Sequence, residues 1–205
     1  MKRRSMIELD SDHRYWELRD GKKREVPGVS HILEAMGEKG SYYRKNTDFY
    51  MTRGTYAHKA AALDHAGELD ESTVDPEIKG YLQAVRNFKR EHMVTVLASE
   101  KSIYHEGLDY CGTLDLVAVI ARYSYPFVLD LKSGSPAPWH ILQVAAYLLA
   151  HGRKEWKKFG AALVYLKQTG RYTLDIIPPM VLDRQIAKWE NLVREFHQKE
   201  SKIWE

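Results

Sequence analysis

Two aspartates stand inside runs of sequence that otherwise read as buried β-strand, and few arrangements tolerate that. The runs are "GTLDLVAVI", holding Asp115, and "PFVLDLK", holding Asp130 and, two residues on, Lys132. Side chains along a strand alternate faces, so Val128, Asp130 and Lys132 share one face and Phe127, Leu129 and Leu131 the other. If the two strands pair as a hairpin, Asp115 and Asp130 come close together. Adjacent carboxylates repel unless something neutralises them. The natural neutraliser is a hard divalent cation with oxygen ligands, magnesium or manganese. Lys132 beside such an ion can orient a water or a phosphate and stabilise developing negative charge. A carboxylate pair, a metal and a lysine make a hydrolytic site for phosphodiesters. Any one of these residues alone reads better as a surface ion pair or a satisfied strand-edge residue. The three in this order, with the helix that follows, point to chemistry.

The surrounding pattern is that of a mixed α/β chain. "HRYWELRDGKKREVPGVSHIL" reads as a small hairpin, with Trp16 and Leu18 on one face, an Asp20-Gly21 turn and Val26 resuming the apolar pattern. Ser30 is placed to cap a short helix through Met36 that Gly37 ends. Helical patterns follow over Thr52–His65 and Asp75–His92, the second with Pro76 in its first turn. Three strand-like runs come next, about 94–104, 110–121 and 126–132, and their short joints favour an antiparallel meander. A helix over 138–151, strands at 160–166 and 172–177, and a long helix from Pro179 complete the order. The 205 residues suit one domain with a sizeable core, taken here as 1–205.

Composition bounds the function classes. The net charge of +3 permits nucleic-acid binding without arguing for it. The lone Cys111 excludes an internal disulfide framework and an all-cysteine metal or iron–sulfur site, and fits a reducing compartment. No apolar run approaches membrane-span length, and the basic N-terminus has no apolar segment behind it. A cytoplasmic protein is the simplest expectation.

Asp115, then Asp130-x-Lys132, then "QVAAY" resembles the PD-(D/E)XK nuclease superfamily. Within it the chain is similar to the branch of RecB-like and RecE-like exonucleases, which carries a Gln-x-x-x-Tyr motif on the helix after the lysine strand. Here the motif is Gln143 and Tyr147, at a spacing that puts both on one helix face. The resemblance implies a restriction-endonuclease-like α/β core. It also implies that Gln143 and Tyr147 help bind DNA and shape the site. The branch has a metal-site histidine on an upstream helix, which maps to His58, four residues after Gly54; His65 lacks that spacing. Its glutamate on the strand before the aspartate strand maps to Glu100, in preference to Glu106 in the following turn. The backbone carbonyl of Leu131 is a further implied ligand. The proline of the superfamily's name is absent, since Thr113-Leu114 precedes Asp115. With one cysteine the iron–sulfur subgroup does not apply, and no phosphate-binding Gly-Lys loop brings a helicase motor.

The expectation is a magnesium- or manganese-dependent deoxyribonuclease, an exonuclease of recombination, repair or phage DNA processing. Asp115, Asp130, His58 and Glu100 surround the metal, and Lys132 positions or activates the attacking water. Arg53 and Lys59, with Arg44 and Lys45 in "SYYRKN", are candidate contacts to the DNA backbone. Tyr42, Tyr43 and Trp139 are candidates to stack on unpaired bases. A recombination or single-strand-binding protein is a plausible partner, and no membrane is implied. The alternatives are a structure-specific endonuclease on the same fold and a catalytically inactive nucleic-acid-binding protein.

Overall fold

The computed structural model describes residues 6–39 and 47–203. Three short strands come first, β1 (Met6–Leu9), β2 (Tyr15–Arg19) and β3 (Lys22–Val26). They pair in sequence order as an antiparallel sheet, where the sequence suggested a hairpin. The β2–β3 turn falls at Asp20-Gly21, whose φ angles of 50° and 76° are the left-handed pair that a two-residue hairpin turn needs. Trp16 and Leu18 are only half-buried, and the fully buried residue of β2 is Glu17. Arg24 explains this: its guanidinium lies 2.6 Å from Glu17 and also grips Asp109. That second contact, with a Tyr15–Thr113 hydroxyl bond of 3.1 Å, fastens the small sheet to the rest of the protein.

Helix α1 (Val29–Ala35) is capped by Gly28 rather than Ser30, which lies inside it, and Gly37 at φ 73° follows it as expected. Helix α2 (Thr47–Ala66) begins five residues earlier than the apolar pattern indicates. Helix α3 (Pro76–Glu91) starts where the sequence says: Asp75 accepts the Glu77 N–H at 2.8 Å, and Pro76 occupies the first turn.

The five-stranded sheet follows in the order β4 (Val94–His105), β5 (Tyr110–Ile120), β6 (Pro126–Lys132), β7 (Gly160–Leu166) and β8 (Tyr172–Ile176). The first three form the expected antiparallel meander. Helix α4 (Pro138–Gly152) then carries the chain across so that β7 pairs parallel with β6, and β8 returns antiparallel. Helix α5 (Pro179–Ile203) ends the described chain.

Apolar residues cover both faces of this sheet. Val128, Leu163 and Ala161 pack with Leu142, Leu148 and Trp189 of α4 and α5. On the other face Phe127, Leu129, Leu131, Ala162 and Val164 pack with Ala57, Leu82, Val85 and Phe88 of α2 and α3. The alternation read from β6 is therefore the alternation the core uses. No helix among the described residues is long and apolar enough to cross a membrane.

Candidate active site

The β5–β6 ladder runs from Val119 opposite Pro126 to Leu116 opposite Leu129, and the paired register stops one residue short of Asp115 and Asp130. Past that point the Asp115 side chain takes the place of a ladder bond: its Oδ2 accepts the Leu131 N–H at 2.6 Å. β6 meanwhile keeps its pairing with β7, with Asp130 opposite Leu163 and Lys132 opposite Tyr165. Both aspartates, each buried, sit just past the point where the paired strands part.

Helix α2 supplies the third group. A Cβ on Gly54 would meet the Ser133 Oγ at 3.2 Å, so the helix passes close to the end of β6 there. One turn further on, His58 Nδ1 lies 3.3 Å from Asp115 Oδ1. Glu100 completes the group from β4. It is the one residue within that strand at positive φ, 46°, a backbone state that costs a non-glycine residue energy and redirects its side chain. His58, Glu100 and Asp115 each offer a ligand atom, and these atoms lie within 4.8 Å of one another.

Lys132 belongs to a second group beside the first. Its Nζ is 2.6 Å from Asp130 Oδ2, a close buried ion pair. Lys132 also donates to Gln143 Oε1 at 2.6 Å, and Gln143 Nε2 donates to the Tyr147 hydroxyl at 2.8 Å. Gln143 and Tyr147 are both buried, so the structure places them behind Lys132 rather than on a surface that meets DNA. The two residues do share a helix face, and that face is turned inward, where Gln143 accepts from Lys132.

The charges are mutually dependent. Burial disfavours charge on His58, but the Asp115 carboxylate outweighs it and holds the imidazole up to about 9. Asp115 in turn sits below the usual carboxylate range, because His58, Lys132 and the Leu131 N–H together overcome its burial. Asp130 is pushed above that range by burial and by Asp115, against the pull of Lys132. Glu100 rises to about 7, from burial first and Asp115 second. Buried His140, whose Nδ1 is 3.3 Å from the Tyr165 hydroxyl, is driven down to about 3 by burial and then by Lys132. Three carboxylates, one imidazole and one amine thus act on one another's charge where β5 and β6 part. The donor set of His58, Glu100 and Asp115, carboxylate oxygens and one imidazole, fits manganese or magnesium.

The remaining expected contacts fall variously. The Leu131 side chain is buried on the α2–α3 face, and its N–H is committed to Asp115. Arg53 is half-buried, with its guanidinium 5.0 Å from the centre of the Tyr81 ring. Lys59 is exposed. Trp139 has the Lys39 and Lys132 amines 5.7 and 5.3 Å from its ring centre, so protein cations already use its π-face. His65 lies away from the cluster, bound to Lys89. Tyr42, Tyr43, Arg44 and Lys45 lie outside the described residues. Sequence reasoning missed the left-handed Glu100, which no local pattern signals. It also missed Gly112, where a Cβ would come within 2.7 Å of the Tyr147 ring. That glycine is what lets Tyr147 lie against β5.

No family model matches this chain. No curated protein matches it either. A solved structure described as "Crystal structure of SSO0001" is similar over 80% of this chain and 83% of its own, at 16% identity and a TM-score of 0.32. A superposition that loose carries no argument about fold or function.

Proposed function

We propose that the protein is a metal-dependent phosphodiester hydrolase acting on DNA, on a restriction-endonuclease-like core, and that it works as an exonuclease. The observation that carries this reading is the meeting of His58, Glu100 and Asp115 beside the Asp130–Lys132 pair, where β5 and β6 part. His58, Glu100, Asp115 and Asp130 would hold one or two magnesium or manganese ions, with the Leu131 carbonyl as a further donor. The bound cation supplies charge neutralisation at the scissile phosphate.

The chain's own residues do the rest. Asp115 fixes the turn of β6 through the Leu131 N–H, which sets where the Asp130 and Lys132 side chains point. Lys132, steadied by Gln143, is free to exchange its Asp130 contact for a water and to hold that water for in-line attack. After attack its positive charge faces the crowded phosphate oxygens. Buried Tyr147 keeps Gln143 in one rotamer.

The test uses end-labelled linear duplex, linear single strands and closed circles, with magnesium, manganese or EDTA. Loss of linear DNA alone, with metal alone, and its abolition in Asp130→Ala support the reading. Cut circles move the assignment to an endonuclease. A fully active Asp130→Ala protein, or DNA binding without cleavage, overturns it.

A further inference from the structure

A cavity of about 480 Å³ opens beside the cluster and shares His58 and Glu100 with it. One wall is α2. Thr55, Lys59, Ala62 and Ala66 line the cavity at helical spacing with His58, so the face that presents the histidine continues along the cavity wall, with small residues at 55, 62 and 66. The opposite wall includes His13, which comes from outside the main core.

His13 sits in the β1–β2 loop, and that loop is held rigid. Asp10 Oδ1 accepts the N–H groups of Asp12 and Arg14, each at 2.9 Å, and Asp10 Oδ2 accepts Trp16 Nε1 at 2.9 Å. His13 is left at φ 59°. Two residues later Tyr15 bonds Thr113, itself two residues before Asp115, so the loop and the aspartate strand share one anchor.

We propose that this cavity seats the nucleotide adjacent to the scissile phosphate, with Lys59 and His13 contacting that nucleotide's other phosphate. The assignment rests on the phosphodiester hydrolase reading above. The volume falls in the range of single small-molecule sites and is too small for a duplex. Lys59 brings a positive charge and His13 a ring N–H donor, as a phosphate contact requires. Ala62, Leu63 and Ala66 give the base an apolar floor. Two carboxylates also line the cavity: Glu68 follows the end of α2, more than two turns from Lys59, and Glu100 belongs to the cluster with His58 and Asp115.

The experiment measures cleavage of linear DNA, and the salt dependence of oligonucleotide binding, for three variants. His13→Asn removes the imidazole but keeps a residue that tolerates positive φ. Lys59→Gln removes the charge, and Ala62→Phe, one helical turn from His58, fills the cavity. Each is expected to raise KM roughly tenfold with kcat changed far less, the mark of a lost positioning contact. Lys59→Gln should also flatten the slope of log K against log salt by about one. If Ala62→Phe does not fold, His13→Asn on the exposed loop carries the test. Wild-type KM and salt slope in the folded variants, with normal cleavage by wild type, overturn the cavity assignment alone. A wild-type protein that neither binds nor cleaves DNA removes the hydrolase reading, and this assignment with it.

Discussion

Lys132 is held from two sides, by Asp130 at 2.6 Å and by Gln143 at 2.6 Å. Gln143 is the neutral one of the two partners, so its loss removes a positioning contact and leaves the ion pair. Gln143→Leu is expected to lower kcat roughly 10- to 100-fold, as loss of an outer supporting residue does, with KM near wild type. Tyr147→Phe, which frees the Gln143 amide nitrogen but keeps its oxygen as the acceptor for Lys132, should cost less. Steady-state cleavage of linear DNA checks both. His65 gives a prediction about stability. Burial, then Lys89, hold its imidazole down to about 4 against an ordinary 6.5, because Lys89 Nζ at 2.8 Å uses Nδ1 as an acceptor. A depressed folded pKa means stability that is fully present above pH 6.5 and lost as pH falls toward 4. His65→Gln keeps an acceptor but does not titrate, so its Tm should fall less than that of wild type between those pH values. Equal acid-side slopes would remove His65 from the account.

At the scale of elements, glycines decide how closely neighbours approach. A Cβ on Gly80 of α3 would lie 1.7 Å from the Gln168 carbonyl oxygen in the β7–β8 turn. Gly80→Ala must push helix and turn apart, at about 3 kcal/mol of stability. For a chain this long that is a Tm drop of about 6–12 °C, with cleavage at low temperature retained. Gly112→Ala should act the other way. Its new methyl group meets the Tyr147 ring, which leads through Gln143 to Lys132, so activity should fall more than Tm. Comparing Tm and kcat for the two variants separates packing from positioning. The elements themselves were mostly legible, because Asp75-Pro76, Asp20-Gly21 and the alternation of β6 are local signals with local causes. Two were not. The N-terminal strand Met6–Leu9 is too short to show a period, and the start of α2 lacks an apolar face to announce it.

Across the whole molecule the site is a balance of charge between four elements. Its metal-free form is stabilised by protons, since His58 is held up to about 9 and Glu100 to about 7. A cation entering the cluster must displace those protons, so manganese affinity should rise as pH rises from 6 to 9. The Tm gain from a fixed manganese concentration should grow over the same range and vanish in Asp115→Asn. A pH-independent gain, or one that survives in Asp115→Asn, would put the ion elsewhere. From sequence alone the chain determined that Asp115, Asp130 and Lys132 could not be ordinary strand residues, because alternation fixes their faces and burial makes an unbalanced charge too costly to keep. It also determined the order of strands and helices around them. Tertiary structure alone decided which charges meet. The parting of β5 from β6, the close pass of α2 at Gly54 and the left-handed turn at Glu100 join residues 58, 100 and 115 into one group, leave Asp130 to Lys132, and turn Gln143 and Tyr147 inward. Those pairings depend on distances between elements far apart in the chain, which no local pattern of residues encodes.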